Sequence, residues 1–205
     1  MKKLLLLLAL SASSIFAANA QIGISAGYTN DTWDVAMKGT GGGLGMYTRT
    51  QGFYAGASYA LPLIGDLSFV PGINFNSAKG DFFLGGELKT QFIEIPLYFE
   101  FRHEISDLFA VIGFAGPGAR YALSVKWEDN GENIDLFDDD ELPALDNKFD
   151  ITLSGGIGIE VAGIRFCASY GTGLLNFVSK DFKKEIARRI NSTGFRLGVT
   201  YVLNF

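Results

Sequence analysis

The stretch TGFRLGVTYVLNF, at residues 193–205, decides the fold class of this chain. Its positions alternate between large apolar side chains and side chains that are mostly small or polar. The apolar set is Phe195, Leu197, Val199, Tyr201, Leu203 and Phe205, and the other set is Arg196, Gly198, Thr200, Val202 and Asn204. Because successive side chains of a β-strand point to opposite faces, this period of two predicts a strand with one apolar and one polar face.

The same alternation recurs along the chain and predicts strands at approximately residues 21–29, 52–61, 67–77, 90–102, 108–125, 149–161, 164–177 and 193–205. The connections alternate in length. Short turns are predicted at residues 62–66, 103–107 and 162–163, and long polar loops at residues 30–51, 77–89, 127–148 and 178–192. This arrangement is typical of transmembrane β-barrels, whose short turns are periplasmic and whose long loops are extracellular. Since the number of strands is even, both termini are expected on the periplasmic side.

The aromatic residues favour a membrane barrel over a soluble sandwich or a lipocalin-like barrel. Running the strands up and down brings aromatic side chains to both ends of the apolar faces. The outer ends receive Tyr28, Phe53, Phe75, Tyr121, Phe149, Tyr170 and Phe195, and the periplasmic ends receive Tyr59, Phe69, Phe99, Phe101, Phe109, Phe166, Tyr201 and Phe205. Two aromatic girdles around an aliphatic band are typical of a lipid-facing wall. We therefore predict an all-β fold, an eight-stranded antiparallel transmembrane β-barrel.

The first twenty residues predict a secretory signal peptide. MKK at residues 1–3 is a cationic start, residues 4–10 are an apolar run, and ANA at residues 18–20 matches an A-x-A cleavage site. The run is shorter than the roughly 20 residues that a membrane-spanning helix needs. We predict cleavage before Gln21, so that residues 21–205 form a single barrel domain in the cell outer membrane.

Composition excludes several classes of function. The chain has 205 residues, of which 48% are hydrophobic and 19% are charged. The hydrophobic residues can bury enough apolar surface to order the chain, which excludes an intrinsically disordered protein. With one Cys and one His it offers no zinc cluster, haem pair or CxxC redox site. Its net charge of −5 argues against nucleic acid as a partner. We expect no bound cofactor and no resident metal.

The polar face of the predicted barrel carries charges of both signs. Its acids are Glu94, Glu100, Asp150 and Glu160, and its bases are Arg102, Arg120, Arg165 and Arg196. Eight strands enclose room only for side chains, and a buried charge without a partner is costly. We expect these residues to form a paired network that fills the lumen, in preference to a proton or ion path. Glu160 and Arg165 flank a tight turn and should pair across it.

Three stretches resemble the PorT-like family of small outer-membrane β-barrel proteins of Gram-negative bacteria. They are FIEIPL at residues 92–97, which is the most specific, GFAGPG at residues 113–118, and GFRLGVTY at residues 194–201. The resemblance covers nearly all of residues 21–205, although residues 30–51 are hard to align. It implies an outer-membrane location and, for the name-giving member, a part in protein secretion. Tyr201, Leu203 and the terminal Phe205 also resemble the signal that barrel-assembly machinery reads at the end of the last strand.

Catalytic chemistry finds little support in the sequence. His103 falls in a predicted periplasmic turn, out of reach of a lipid head group in the outer leaflet, and no nucleophile, base and orienting group can be drawn around it. Cys167 shares the inward parity of Arg165 and is expected to be a packed side chain. The glycine-rich residues 39–45 lack the Lys-Ser/Thr of a phosphate loop. We therefore expect a protein that is not an enzyme.

Two of the predicted long loops carry opposite charges. Between residues 127 and 147 lie nine acids and no base, among them the weak calcium candidates Asp135, Asp138, Asp139, Asp140 and Glu141. Their spacing does not match a calcium-binding loop of known type, so a solvated acidic loop is favoured. Residues 178–192 are basic, and the recurrence of Phe182, Ile186 and Ile190 predicts a short amphipathic helix. Its bases could contact lipopolysaccharide phosphates or the acidic loop, and we favour the acidic loop.

These features indicate a non-catalytic outer-membrane barrel whose extracellular loops bind an envelope, secretion or adhesion partner, since rigid scaffolds present recognition on loops. The other expected contacts are outer-membrane lipid, lipopolysaccharide, and the barrel-assembly machinery during insertion. Two alternatives stay open: a lipid-modifying barrel enzyme, and a narrow channel for small solutes. The position of His103 argues against the first, and the filled lumen argues against the second.

Overall fold

Strand pairing in the computed structural model closes into a ring. The structure describes residues 21–37, 45–82, 85–129, 132–137, 148–175 and 187–204. Its strands are β1 (Gln21–Met37), β2 (Gly45–Ile64), β3 (Leu67–Asp81), β4 (Glu87–Ser106), β5 (Phe109–Asp129), β6 (Glu132–Asp135), β7 (Phe149–Val161), β8 (Ile164–Gly173) and β9 (Ala187–Asn204). Antiparallel pairing runs β1–β2–β3–β4–β5–β7–β8–β9 and returns from β9 to β1. The predicted closed, eight-stranded barrel is confirmed, and the short β6 lies outside the ring against β5.

The two ends of the barrel differ in the way that was predicted. At one end, which we call the short-turn end, two residues suffice to connect each hairpin, at 65–66, 107–108 and 162–163. The first and last described strands also meet here, where Gln21 pairs with Asn204. The opposite end is called the long-loop end. Among the described residues, no helix is long and apolar enough to cross a membrane.

At the long-loop end the strands run further than predicted. β1 and β2 stay paired from Tyr28 and Phe53 up to Ala36 and Gly45, so much of the loop predicted at residues 30–51 is strand. The residues predicted as loop between β3 and β4 likewise extend both strands, to Asp81 and from Glu87. Alternation fails as a signal in these extensions because a hairpin that projects beyond lipid needs no continuous apolar outer face.

The helix predicted within residues 178–192 is wrong where the structure describes that segment. Residues 187–190 belong to β9, and Ile190 pairs with Val35 of β1. Backbone pairing with a neighbouring strand overrides a short apolar recurrence at helical spacing. Phe182, Ile186 and the lysines of this segment lie outside the described residues, and the contact proposed between the two charged loops therefore stays a prediction.

The outward faces of the strands form an apolar band bordered by aromatic residues. On β9, Phe195, Leu197, Val199 and Tyr201 expose 42, 48, 44 and 55% of their surface, as the alternation predicted. Toward the long-loop end, aromatic residues are direct register partners in the pairs Tyr28–Phe53, Tyr121–Phe149 and Tyr170–Phe195. We call these six residues the upper aromatic row. Toward the short-turn end, the rings of Phe69 and Phe99 lie 5.5 Å apart.

The height of the band matches a membrane. On β4 it runs from Ile93 to Phe101, which is eight residue steps. At about 3.3 Å per step and a tilt of about 40°, this segment spans roughly 20 Å along the barrel axis, close to the apolar band of about 25 Å that outer-membrane barrels present.

Candidate functional site in the barrel lumen and on its outer wall

The inward side chains near the short-turn end form one layer of ion pairs, which we call the lower layer. The Arg165 Nε donates to Glu160 Oε2 at 2.6 Å, and Arg165 Nη1 donates to Glu100 Oε1 at 3.0 Å. The Arg102 Nη2 donates to the second oxygen of Glu160 at 2.7 Å. Glu160 and Arg165 are register partners across the turn at residues 162–163, in the way the sequence indicated. All four side chains face into the barrel, and Arg102 is the most exposed of them.

A second, upper layer lies nearer the long-loop end. The Arg120 Nη2 donates to Asp150 Oδ2 at 2.6 Å and also contacts the Ser192 hydroxyl. The Arg196 guanidinium donates to Glu94, which is 2% exposed. Because every one of these charges has an opposite partner, the layer avoids the penalty of an isolated buried ion.

Aromatic rings cover the upper layer. The Trp33 and Phe92 rings stack with 5.7 Å between their centroids, and both side chains are buried. The Arg120 guanidinium lies over the Phe92 ring at 5.0 Å, which is the geometry of a cation–π contact. Charged and aromatic side chains thus cross the barrel interior at the lower layer, at the upper layer and at this stack.

Little space remains between these side chains. A cavity of about 20 Å³ lies within the upper layer, against Tyr98, Arg120 and Thr152. A second cavity of about 100 Å³ separates the two layers and is lined by polar, small and aromatic side chains, including Asn74, Cys167 and Phe114. A water takes about 30 Å³ of liquid volume, and ligand pockets typically measure roughly 300–1,000 Å³. The lumen therefore has room for a few waters and offers no substrate pocket of ordinary size.

The structure brings together all eight lumen charges named from the sequence and adds three polar residues to them. Asp31 is buried, and its carboxylate accepts a hydrogen bond from Thr29 at 3.3 Å. Tyr98 shares a hydrogen bond with Ser154 at 3.0 Å, and the Tyr54 ring lies 5.8 Å from the Arg196 guanidinium. Asp31 could have been predicted by continuing the alternation of inward and outward residues on β1 beyond Thr29.

The other candidate residues lie away from one another. His103 is exposed at the short-turn end, where its Nδ1 lies 2.8 Å from Asp66 Oδ2. Cys167 lines the cavity between the two layers. The Asp135 carboxylate accepts a hydrogen bond from the Phe137 amide at 3.1 Å. The remaining calcium candidates, Asp138, Asp139, Asp140 and Glu141, lie outside the described residues, and so does Phe205.

A metal cluster is not found in the part of the chain that the structure describes, where no three His, Cys, Asp or Glu side chains are placed to hold an ion. The calcium hypothesis for residues 127–147 stays a prediction. Of the residues named as the assembly signal, Tyr201 faces outward and Leu203 is half-buried.

Beyond the upper aromatic row the outer wall becomes charged. Lys79, Lys89 and Lys126 lie side by side on β3, β4 and β5, because Lys89 is the register partner of both others. We call these three the lysine row. The next outward positions toward the long-loop end are acidic, and Asp81, Glu87 and Glu128 are likewise register partners. A row of bases is thus followed by a row of acids.

Ion pairs connect the two rows on the outer wall. The Lys79 Nζ lies 3.1 Å and the Lys89 Nζ lies 3.5 Å from Glu87, and Lys89 also contacts Glu128. The hydrogen bond from Lys79 lowers the pKa of Glu87, and the hydrogen bond to Glu128 raises the pKa of Lys89. Among the described residues, no carboxylate lies within ion-pair distance of Lys126, which is exposed.

Comparison with known proteins gives structural likenesses alone. No family model and no curated protein matches the chain. It is similar in structure to Ail, the attachment invasion locus protein of Yersinia pestis, with 16% identity over 90% of this chain and 99% of that chain and a TM-score of 0.47. It is also similar to the outer membrane protein OprG from Pseudomonas aeruginosa, with 10% identity, coverage of 91% and 97%, and a TM-score of 0.47. A third likeness is to the outer membrane enzyme PagL, with 9% identity, coverage of 88% and 98%, and a TM-score of 0.48.

All three TM-scores lie below 0.5, so the assignment of the barrel fold rests on the strand pairing described above. None of these proteins tests the resemblance to the PorT-like family, which stays a prediction.

Proposed function

We propose that this chain is an integral outer-membrane β-barrel with a filled lumen, a non-catalytic scaffold that presents its long-loop end to a partner of the envelope, secretion or adhesion type. The observation that carries the proposal is the outward apolar band, roughly 20 Å tall, which is bordered by aromatic residues at both ends. Ile157, Tyr170 and Phe53 expose 71, 60 and 56% of their surface, which water would penalise and lipid stabilises.

The orientation follows from the same features. Short turns are periplasmic in proteins of this architecture. The paired ends Gln21 and Asn204 would then also be periplasmic, and the strand extensions of β1, β2, β4 and β5 would project from the cell. Those extensions form a rigid base for recognition by the loops that they carry.

The filled lumen and the position of His103 support a scaffold more than a channel or an enzyme. Both ion-pair layers cross the barrel interior, and the Trp33–Phe92 stack lies above them. His103 lies at the short-turn end, which in this orientation is remote from the outer-leaflet head groups.

The test is the behaviour of the refolded protein in detergent and lipid. A closed barrel has no free strand edge, so it should resist dodecyl sulfate until boiled. We expect boiled and unboiled samples to migrate differently on a gel, and we expect the chain to insert into phosphatidylcholine vesicles and become protected from added protease. Identical migration together with full protease digestion would overturn the proposal.

A further inference from the structure

We propose that the lysine row binds the phosphate groups of a phosphorylated lipid of the outer leaflet, of which lipid A is the example to test; the inference rests on the proposed outer-membrane function. Lys79, Lys89 and Lys126 come from three adjacent strands, and the barrel wall fixes their spacing. Surface lysines near a membrane attract anionic head groups, so three lysines in register form a local site of positive charge.

A groove on the outer wall gives the site its shape. It measures about 390 Å³ and lies across β2 to β5. The lysine row and Gln51, the register partner of Lys79, line the side away from the band, whereas Gln91 and Phe53 of the upper aromatic row lie one level closer to the band. Such a lining suits a ligand with a charged head and an apolar body.

The depth of the lysine row matches the level of head groups. On β4, Lys89 lies four positions before Ile93, the first residue of the apolar band on that strand. Four residue steps correspond to roughly 13 Å along the strand, or about 10 Å along the barrel axis at a tilt of about 40°. The exposed side chain of Lys126 can extend along the wall toward the membrane, which brings its ammonium group closer to the interface.

The carboxylates beside the lysine row neutralise only part of its positive charge. Glu87 and Glu128 contact Lys79 and Lys89 from the side away from the band, whereas Lys126 has no ion pair with a described residue. A phosphate that approaches from the membrane side would meet all three ammonium groups without displacing either carboxylate. The register row that contains Lys79 continues through Gln51 on β2, Asn30 on β1 and Phe195 on β9, none of which carries a charge.

The experiment is a titration of diphosphoryl lipid A into the refolded chain in zwitterionic micelles, with bound lipid counted by native mass spectrometry. We expect binding of lipid A, and we expect the triple variant K79Q/K89Q/K126Q to weaken its apparent Kd by roughly 10- to 100-fold. Glu87→Gln should tighten binding, because it frees Lys79 and removes one of the two carboxylates that contact Lys89. Fully dephosphorylated lipid A should bind as weakly as the triple variant binds the intact lipid.

A matched control separates position from total charge. Lys126→Gln and Arg49→Gln each remove one exposed positive charge, but Arg49 lies on β2 at the level of the acidic row, further from the band. Lys126→Gln should weaken binding by at least about threefold more than Arg49→Gln does. Inorganic phosphate at millimolar concentration should not displace the lipid, since the groove also holds its apolar body.

The outcomes distinguish this inference from the proposed function. If the protein inserts into phosphatidylcholine vesicles but binds phosphorylated and dephosphorylated lipid A equally, the lysine row does not bind phosphate and only this inference fails. Equal losses for Lys126→Gln and Arg49→Gln, or displacement by inorganic phosphate, would also overturn it. A protein that neither inserts nor shifts on boiling would overturn the proposed function and this inference together.

Discussion

Val199 lies near the middle of the outward band on β9, two positions from Tyr201 at its lower border. Arginine at this position would place a charge against lipid tails, and we expect Val199→Arg to lower the free energy of unfolding by about 2–4 kcal/mol. The matched control is Gln51→Arg, which adds the same side chain beyond the upper aromatic row and should cost about 0–1 kcal/mol. Reversible urea unfolding in lipid vesicles measures both. Equal losses would contradict the assigned depth of the band.

Glu160 and Glu104 offer a second comparison, because both contact Arg102. The Glu160 side chain is 9% exposed and also accepts from Arg165, whereas the Glu104 side chain is 66% exposed. Glu160→Gln leaves two guanidinium groups short of a buried partner and should destabilise the barrel by about 3–5 kcal/mol. Glu104→Gln should cost less than about 1 kcal/mol. The measurement is urea unfolding at neutral pH; similar values for the two variants would show that Glu160 is effectively solvated.

The sequence identified which charges enter the lumen far better than it identified their partners. Each of the eight charged residues lies on a strand with clear alternation, so its position in the alternating pattern is enough to place it on the inward face. Only Glu160 and Arg165 flank a tight turn, and only this pair was predictable. Glu94 and Arg196 are 102 positions apart and meet across the interior, which depends on how the whole ring closes. Asp31 was missed because its segment has no apolar outer face.

At the scale of single elements, the hairpin between β7 and β8 is the one with a strained turn. Ala162 has φ of 50° and Gly163 has φ of 80°. Positive φ at both central residues is the requirement of a type I′ turn, for which Asn-Gly is strongly preferred. Ala162→Asn should therefore stabilise the barrel by about 0.5–1 kcal/mol, because Asn tolerates this conformation better than Ala does.

The control for this hairpin is Leu108→Asn. Leu108 also occupies a two-residue turn at the short-turn end, yet Ala162 is the only non-glycine residue with positive φ in the described chain. The same substitution there should bring no gain. Unfolding midpoints in urea compare the two variants, and an equal gain at both positions would mean that the benefit comes from polarity and not from backbone conformation.

Element boundaries were predictable only inside the band. There, lipid on one face and the lumen on the other force a strict alternation of apolar and polar residues. Above it both faces meet polar surroundings, and the sequence of β1 beyond Tyr28 no longer distinguishes strand from loop. The backbone pairing of β1 with β2 and β9 continues all the same, since hydrogen bonds between strands do not depend on which side chains face outward.

For the whole molecule, the filled interior predicts that the barrel does not conduct ions. Two ion-pair layers and the Trp33–Phe92 stack occupy the cross-section, and the cavities between them hold only a few waters. Purified protein in a planar bilayer should show no steady open state, with a general porin reconstituted in the same way as the positive control. Long-lived conductance steps of porin size would contradict the filled lumen and favour the channel alternative.

The pairing of β1 with β9 has a consequence for how the barrel is made. These two strands stand at opposite ends of the described chain, so the contacts that close the ring have nearly the largest sequence separation available. Long-range pairing of this kind slows folding, because the entropy of closing the loop is lost before the contacts form. Until β9 pairs with β1, the chain exposes two free edges and a wide apolar surface. This topology therefore requires the cell to protect the unfolded chain in the aqueous compartment and to assist the pairing of β9 with β1, whatever partner the finished barrel binds.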